Sequence, residues 1–203
     1  MIRLGITGGI GSGKSYISAL LRDRLNIPVY DCDSEAKRII CQDEAVRQKL
    51  IALVGPYLYN KEGELQKSVL ADYLFASQQH AAQVNAIVHP AVKDDFCRWS
   101  ERQITEVVAM ESAILYESGM DAVVDKVLFV DAPIELRIQR AMKRDGSTRQ
   151  QVQARISMQK TEAQLRKAGF VIDNADATGE SLLESLQQIL QNIAADRQTE
   201  NTK

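Results

Sequence analysis

Gly8-Gly9-Ile10-Gly11-Ser12-Gly13-Lys14-Ser15 satisfies the pattern G-x-x-x-x-G-K-[ST]. Before it, Ile2-Arg3-Leu4-Gly5-Ile6-Thr7 is a short apolar stretch that predicts a strand. After it, Ile17, Leu20, Leu21 and Arg24 recur at helical spacing through Leu25. A strand, a Gly-rich loop and a helix in that order make a phosphate cradle. Backbone N–H groups can wrap a triphosphate only where side chains are absent and φ is unrestricted. Lys14 supplies a point charge for the β- and γ-phosphates, the Ser15 hydroxyl is suited to ligate Mg²⁺, and Gly11, Ser12 and Gly13 complete the loop. The N-terminus of the following helix adds partial positive charge.

The rest of the chain alternates between strand and helix. Asn26 to Tyr30 predicts a second strand ending at Asp31-Cys32-Asp33, with a helix from about Ser34. Helical periodicity then fills 46–54, 67–76, 78–88 and 90–102, with turns at Gly55-Pro56 and Glu62-Gly63 and a break at His89-Pro90. Apolar runs at Glu106 to Met110 and Lys126 to Asp131 predict central strands covered on both faces, and Phe170 to Asn174 predicts a fifth strand. A final helix from Glu180 carries Leu182, Leu186, Ile189 and Ile193 on one face, and the tail from Asp196 is polar. The expected fold is α/β: a five-stranded parallel sheet flanked by helices, with the P-loop NTPase arrangement. Residues 1–33, 104–134 and 168–203 form the expected core, 34–103 a helical insert, and 135–167 a helical lid.

Composition narrows the class. The 203 residues carry a net charge of −2, which disfavours a nucleic-acid polymer as partner. Residues 137–167 nevertheless hold nine Lys or Arg against two acids, a local surface suited to a small polyanion. The three cysteines lack any C-x-x-C pair and point to reduced thiols rather than a metal site. No leader-like segment and no apolar run of membrane-spanning length appears, so a cytoplasmic protein without an obligate protein partner is expected.

Four further groups bear on chemistry. Asp31 and Asp33 stand two apart at the carboxyl end of the second strand, where ligands of open α/β sheets bind. In an extended segment both would point the same way, one as base and one supporting a water on Mg²⁺, with Asp33 preferred as base. A helix cap is the alternative use of such an Asp. Glu111, after Val107-Val108-Ala109-Met110, has the Walker-B position for Mg²⁺, with Asp131 as the other candidate. Arg137, Arg140 and Arg144 share one helix face and are expected to form a lid over phosphates. His89 by itself says little.

Taken together, these pieces resemble the dephospho-coenzyme A kinase family along nearly the whole chain. The resemblance runs through Thr7 to Ser15, Asp31-Cys32-Asp33, Gly63-Glu64-Leu65 leading to Leu70 and Phe75, and Asn85-Ala86-Ile87-Val88-His89-Pro90. It continues through Leu115-Tyr116-Glu117, Arg140 to Asp145, Arg155 with Gln159, and Ile172-Asp173-Asn174. It implies ATP as donor with Mg²⁺, and dephospho-CoA as acceptor at its ribose 3′-hydroxyl. By the same resemblance Asp33 is the base, Arg140 and Arg144 belong to the lid, Asn174 lies near adenine, and His89 belongs to the acceptor site. Tyr16, where the family commonly has Thr, is counted with the nucleotide site. Gln66-Lys67 replaces a usual Asp-Arg, and Lys67 is the weaker acceptor contact because an ammonium cannot copy a bidentate guanidinium. Glu111 stands where the family has Asp. The rivals are another P-loop kinase for a small molecule and a nucleotide switch, although the chain has no N-K-x-D guanine signature.

Overall fold

The computed structural model describes residues 1–157, 159, 166, 168–175 and 178–200. Much of the second half of the expected lid, including 160–165 and Lys167, lies outside the described residues.

β1 (Ile2–Gly8) is followed by α1 (Lys14–Leu25), β2 (Val29–Asp31), β3 (Val107–Glu111), β4 (Lys126–Asp131) and β5 (Phe170–Asp173). The strands form one sheet in the order β2-β3-β1-β4-β5. β1 pairs in parallel with β3 and with β4, and β4 pairs in parallel with β5. β1 is therefore flanked by strands reached through crossovers on opposite sides. This is the switch point at which open α/β sheets bind ligands, and the Gly-rich loop leaves the sheet there.

β1 reads apolar without alternation because both its faces are covered. Leu4 and Ile6 pack with Ile17, Leu20 and Leu21 of α1 and with Leu182, Leu186 and Ile193 of the last helix. Gly5 faces the other way, and a Cβ on it would lie 3.1 Å from a Leu115 methyl, in the segment after β3. β2 is shorter than the sequence predicts, starting only at Val29, because Asn26 closes α1 in left-handed backbone (φ 53°) and Pro28 follows. The next helix starts at Cys32.

The chain divides into two units, Met1–Tyr30 with Gln103–Lys203, and Asp31–Arg102. The second unit is helical: α2 (Cys32–Gln42), α3 (Glu44–Val54), α4 (Lys67–Ala76) and α5 (Gln78–Glu101). Asp43 closes α2 and caps α3 by accepting from the Val46 N–H at 2.9 Å. α5 packs against α2, α3 and α4. Its buried residues recur every four positions, at Val84, Val88, Val92 and Phe96. The expected break at Pro90 does not occur, and α5 runs through it. A proline inside a helix costs about 3 kcal/mol, and the continuous buried face on either side of Pro90 outweighs that cost. Pro90 itself is exposed.

The first unit ends with α6 (Ile134–Asp145), α7 (Arg149–Ser157) and α8 (Gly179–Glu200). α8 carries the predicted apolar face and stays helical through Glu200, well into the polar tail. No described helix is long and apolar enough to cross a membrane.

Candidate active site

The loop after β1 turns by left-handed backbone at Gly11 (φ 76°) and Gly13 (φ 97°). Both positions also lack room. A Cβ on Gly11 would sit 2.1 Å from the Arg137 carbonyl oxygen, and one on Gly13 would sit 2.1 Å from Asn174 Nδ2. Gly13→Ala therefore meets strain and collision together. It should lower the melting temperature by several degrees, consistent with about 1–3 kcal/mol, and weaken ATP binding. A variant with unchanged melting and ATP affinity would refute this packing.

α1 begins directly after Gly13 with no side-chain cap and no acid in its first turn. Its N-terminal N–H groups and partial positive charge thus suit an anion. Lys14 Nζ donates to the carbonyls of Gly8 at 2.9 Å and Gly9 at 3.2 Å, so the ammonium is held along the loop. Gly11, Gly13, Lys14, Ser15, Arg140, Ala141 and Arg144 line one cavity of about 180 Å³. Loop and α6 thereby surround a space rich in donors and cations.

Ser15 Oγ donates to Glu111 Oε1 at 2.7 Å. The contact follows from register, since Ile6 of β1 pairs with Glu111 of β3. Glu111, and not Asp131, is thus the strand-end acid that meets the loop hydroxyl. Asp131 is engaged elsewhere, by the Ala132 N–H at 2.9 Å and the Arg166 guanidinium at 3.2 Å. Ser15 and Glu111 are hard oxygen donors, and the pair fits Mg²⁺, which takes one or two protein ligands and fills its octahedron with water and phosphate oxygens.

The three arginines of α6 do not act as one face. Arg137 is buried, with its Nε donating to the Ile10 carbonyl at 3.1 Å. Arg140 lines the cavity and donates to the Asn174 carbonyl at 2.9 Å. Arg144 is exposed and pairs with Asp145 through two bonds of 2.7 and 3.1 Å. Asp145 also accepts from Arg155 at 2.7 Å. Arg144 first, then Arg155, hold the Asp145 carboxyl well below the usual carboxylate range. Of the three arginines grouped by spacing, Arg140 and Arg144 therefore share the cavity, while Arg137 turns to the loop.

Asn174 is buried just after β5 and donates from Nδ2 to the Ser12 carbonyl at 2.8 Å. Its amide is committed to the loop backbone. Tyr16 is exposed on α1, and its hydroxyl lies 2.8 Å from where a Gly179 Cβ would be. Sequence reasoning missed Arg137 as a partner of the loop, and also Gln159, whose Oε1 accepts the Ile10 N–H at 2.9 Å. The available signal was the glycine content of the loop, since Gly9 and Gly11 leave space that another residue must fill.

Asp31, Asp33, Lys67 and His89 belong to the helical unit. The extended Asp31–Asp33 pair is corrected. α2 starts at Cys32, so Asp31 is its N-cap. Asp31 Oδ1 accepts from the N–H groups of Asp33 and Ser34 at 3.0 and 3.3 Å, and Oδ2 accepts from the Ser34 hydroxyl at 2.7 Å. The cap satisfies orphan helix donors that an extended chain would not have. Asp33 is left in the first helical turn, exposed. Lys67 is the exposed first residue of α4.

His89 is half-buried within α5, and burial lowers its pKa from the ordinary value. The unfolded chain therefore takes up a proton before the folded one. Stability from this site is full above about pH 6.5 and is lost as pH falls below it toward the folded value. His89→Gln should flatten that decline in urea midpoints measured from pH 7 to 5; an unaltered slope would contradict the burial effect.

Comparison with known proteins identifies the lineage. A sequence profile of dephospho-CoA kinases matches residues 2–180. The chain belongs to the dephospho-CoA kinase family. The dephospho-CoA kinase of Bacteroides fragilis strain YCH46 is 46% identical over 195 residues, covering 95% of this chain and 92% of that protein. The dephospho-CoA kinase of Porphyromonas gingivalis is 43% identical over 197 residues, covering 97% and 96%. Among solved structures, TT1252 from Thermus thermophilus superposes with a TM-score of 0.79 at 34% identity, covering 94% of this chain and 97% of that one. The expected P-loop kinase fold and family are both borne out.

Proposed function

We propose that the protein transfers the γ-phosphoryl group of ATP to the ribose 3′-hydroxyl of dephospho-CoA, giving CoA and ADP, the last step of coenzyme A synthesis. The reading is carried by the cavity in which Gly11, Gly13, Lys14 and Ser15 meet Arg140 and Arg144, in a chain of this family.

Phosphoryl transfer gains mainly from positioning and from neutralising charge, since its transition state is loose. The loop amides and the N-terminus of α1 hold the β- and γ-phosphates. Lys14 follows the charge that moves onto the leaving ADP, and Arg140 and Arg144 fork onto the oxygens of the transferred group. Ser15 and Glu111 would hold Mg²⁺, which neutralises charge shared between the β- and γ-phosphates. Asn174 fixes the loop edge on the side assigned to adenine, and Tyr16 flanks the nucleotide from α1.

Asp33, two residues beyond the carboxyl end of β2, accepts the 3′-hydroxyl proton as the new P–O bond forms and the bond to ADP breaks. Asp31 holds the α2 turn that presents Asp33. His89 and Lys67 contribute to the acceptor site, His89 as a neutral imidazole at physiological pH. The protein is cytoplasmic in this reading, where ATP and its acceptor are found.

An acceptor panel tests the assignment. Purified protein with ATP and Mg²⁺ should release ADP in proportion to added dephospho-CoA and not to shikimate, gluconate or nucleoside monophosphates. ADP release with one of those acceptors instead would favour a different P-loop kinase. Slow release indifferent to every acceptor would favour a switch.

A further inference from the structure

Arg137 stands outside the cavity that Arg140 and Arg144 line, yet it is among the most buried charged side chains described, at 3% exposure. Its guanidinium lies where a Gly9 side chain would be, 1.8 Å from the ideal Cβ position, and its own carbonyl oxygen occupies that place for Gly11. Between those glycines, its Nε donates to the Ile10 carbonyl at 3.1 Å. One residue of α6 therefore packs against three consecutive loop residues.

Peptide planarity turns this packing into a statement about ligand binding. The peptides are trans throughout the described residues, so the Ile10 C=O and the Gly11 N–H point in opposite directions. Arg137 fixes the carbonyl on its own side, away from the cavity. The Gly11 N–H is thereby aimed at the cavity that Gly11 lines. The preceding peptide is held the same way. Gln159 accepts the Ile10 N–H at 2.9 Å, which sends the Gly9 carbonyl toward Lys14 Nζ and the Ser12 N–H, at 3.2 and 3.1 Å.

We infer that Arg137 is a positioning residue for phosphate recognition: it orients the Ile10–Gly11 peptide so that the Gly11 N–H meets a bound phosphate, and it ties the start of α6 to the loop. It touches no substrate itself. Glycine at positions 9 and 11 serves this contact as well as the phosphate, because any side chain there would expel the arginine. The inference rests on the reading of the loop as a nucleotide site.

The test uses full-length Arg137→Gln and Arg137→Lys, titrated with ADP by calorimetry and followed at the Gly11 amide by ¹H–¹⁵N NMR. The wild-type protein should bind ADP and shift the Gly11 amide strongly downfield as it donates to phosphate. Arg137→Gln should bind ADP about ten- to a hundredfold more weakly, the scale of one hydrogen bond to a charged group, and lose that shift. Arg137→Lys keeps the charge and stem but lacks the Nε–H, and should lose the shift as well. If the Gln variant does not fold, the Lys variant carries the test. Wild-type affinity with the Gly11 shift intact in either variant overturns the inference, whatever happens to melting temperature. A wild-type protein that fails to bind ADP instead overturns the nucleotide reading.

Discussion

Replacing Lys14 by alanine is expected to lower kcat by about 10³-fold, the scale of removing one preorganised charge from a developing anion. The folded state should be little affected. Lys14 is only partly buried, and its ammonium bonds to two loop carbonyls at 2.9 and 3.2 Å. Those bonds are weak stabilisers in water, whereas a triphosphate drawn into the cavity gives the ammonium a partner of full opposite charge. The loss should fall on kcat more than on melting temperature. Measuring kcat, KM for ATP and thermal unfolding on the same preparation separates the two. A fall in kcat of only a few-fold would remove Lys14 from its phosphate role.

The second large effect is expected at Asp33. Asp33→Asn keeps size and polarity but cannot accept the hydroxyl proton, and kcat should fall by about 10²- to 10⁴-fold. ATP affinity should hardly change, because the carboxylate acts on the acceptor. The local helix should also survive, since the N-cap of α2 is Asp31 and not Asp33. Equilibrium binding of ATP beside single-turnover kinetics is the appropriate pair of measurements. Collapse of ATP affinity with kcat preserved at saturation would make Asp33 a support for the metal rather than a base.

The parts of the site made by backbone were legible in the sequence. Glycines at 11 and 13 announce positive φ, and Lys14-Ser15 after them announces what the loop holds. The apolar runs of β3 and β4 announce strands buried on both faces, and the acid after β3 falls beside Ser15 because parallel register puts it there. What was not legible depends on partners distant in sequence. Spacing placed Arg137 with Arg140 and Arg144 on one helix face, but periodicity cannot say what stands opposite each turn. Arg137 meets Ile10, Arg140 meets Asn174, and Arg144 meets Asp145. The Asp31–Asp33 geometry turned on whether one residue, Cys32, extends a strand or opens a helix. The capping bonds of Asp31 favour the helix. At Pro90 the local rule predicted a break, and the buried face of α5 overrode it.

The most direct measurement is the fate of the γ-phosphate of ATP when the protein, Mg²⁺ and dephospho-CoA are incubated and the products read by ³¹P NMR and mass spectrometry. The expected result is ADP with an equal amount of a new phosphomonoester on the ribose 3′-oxygen, and no inorganic phosphate beyond the acceptor-free control. Unmodified dephospho-CoA, with ATP intact or hydrolysed to inorganic phosphate, would contradict the proposed reaction.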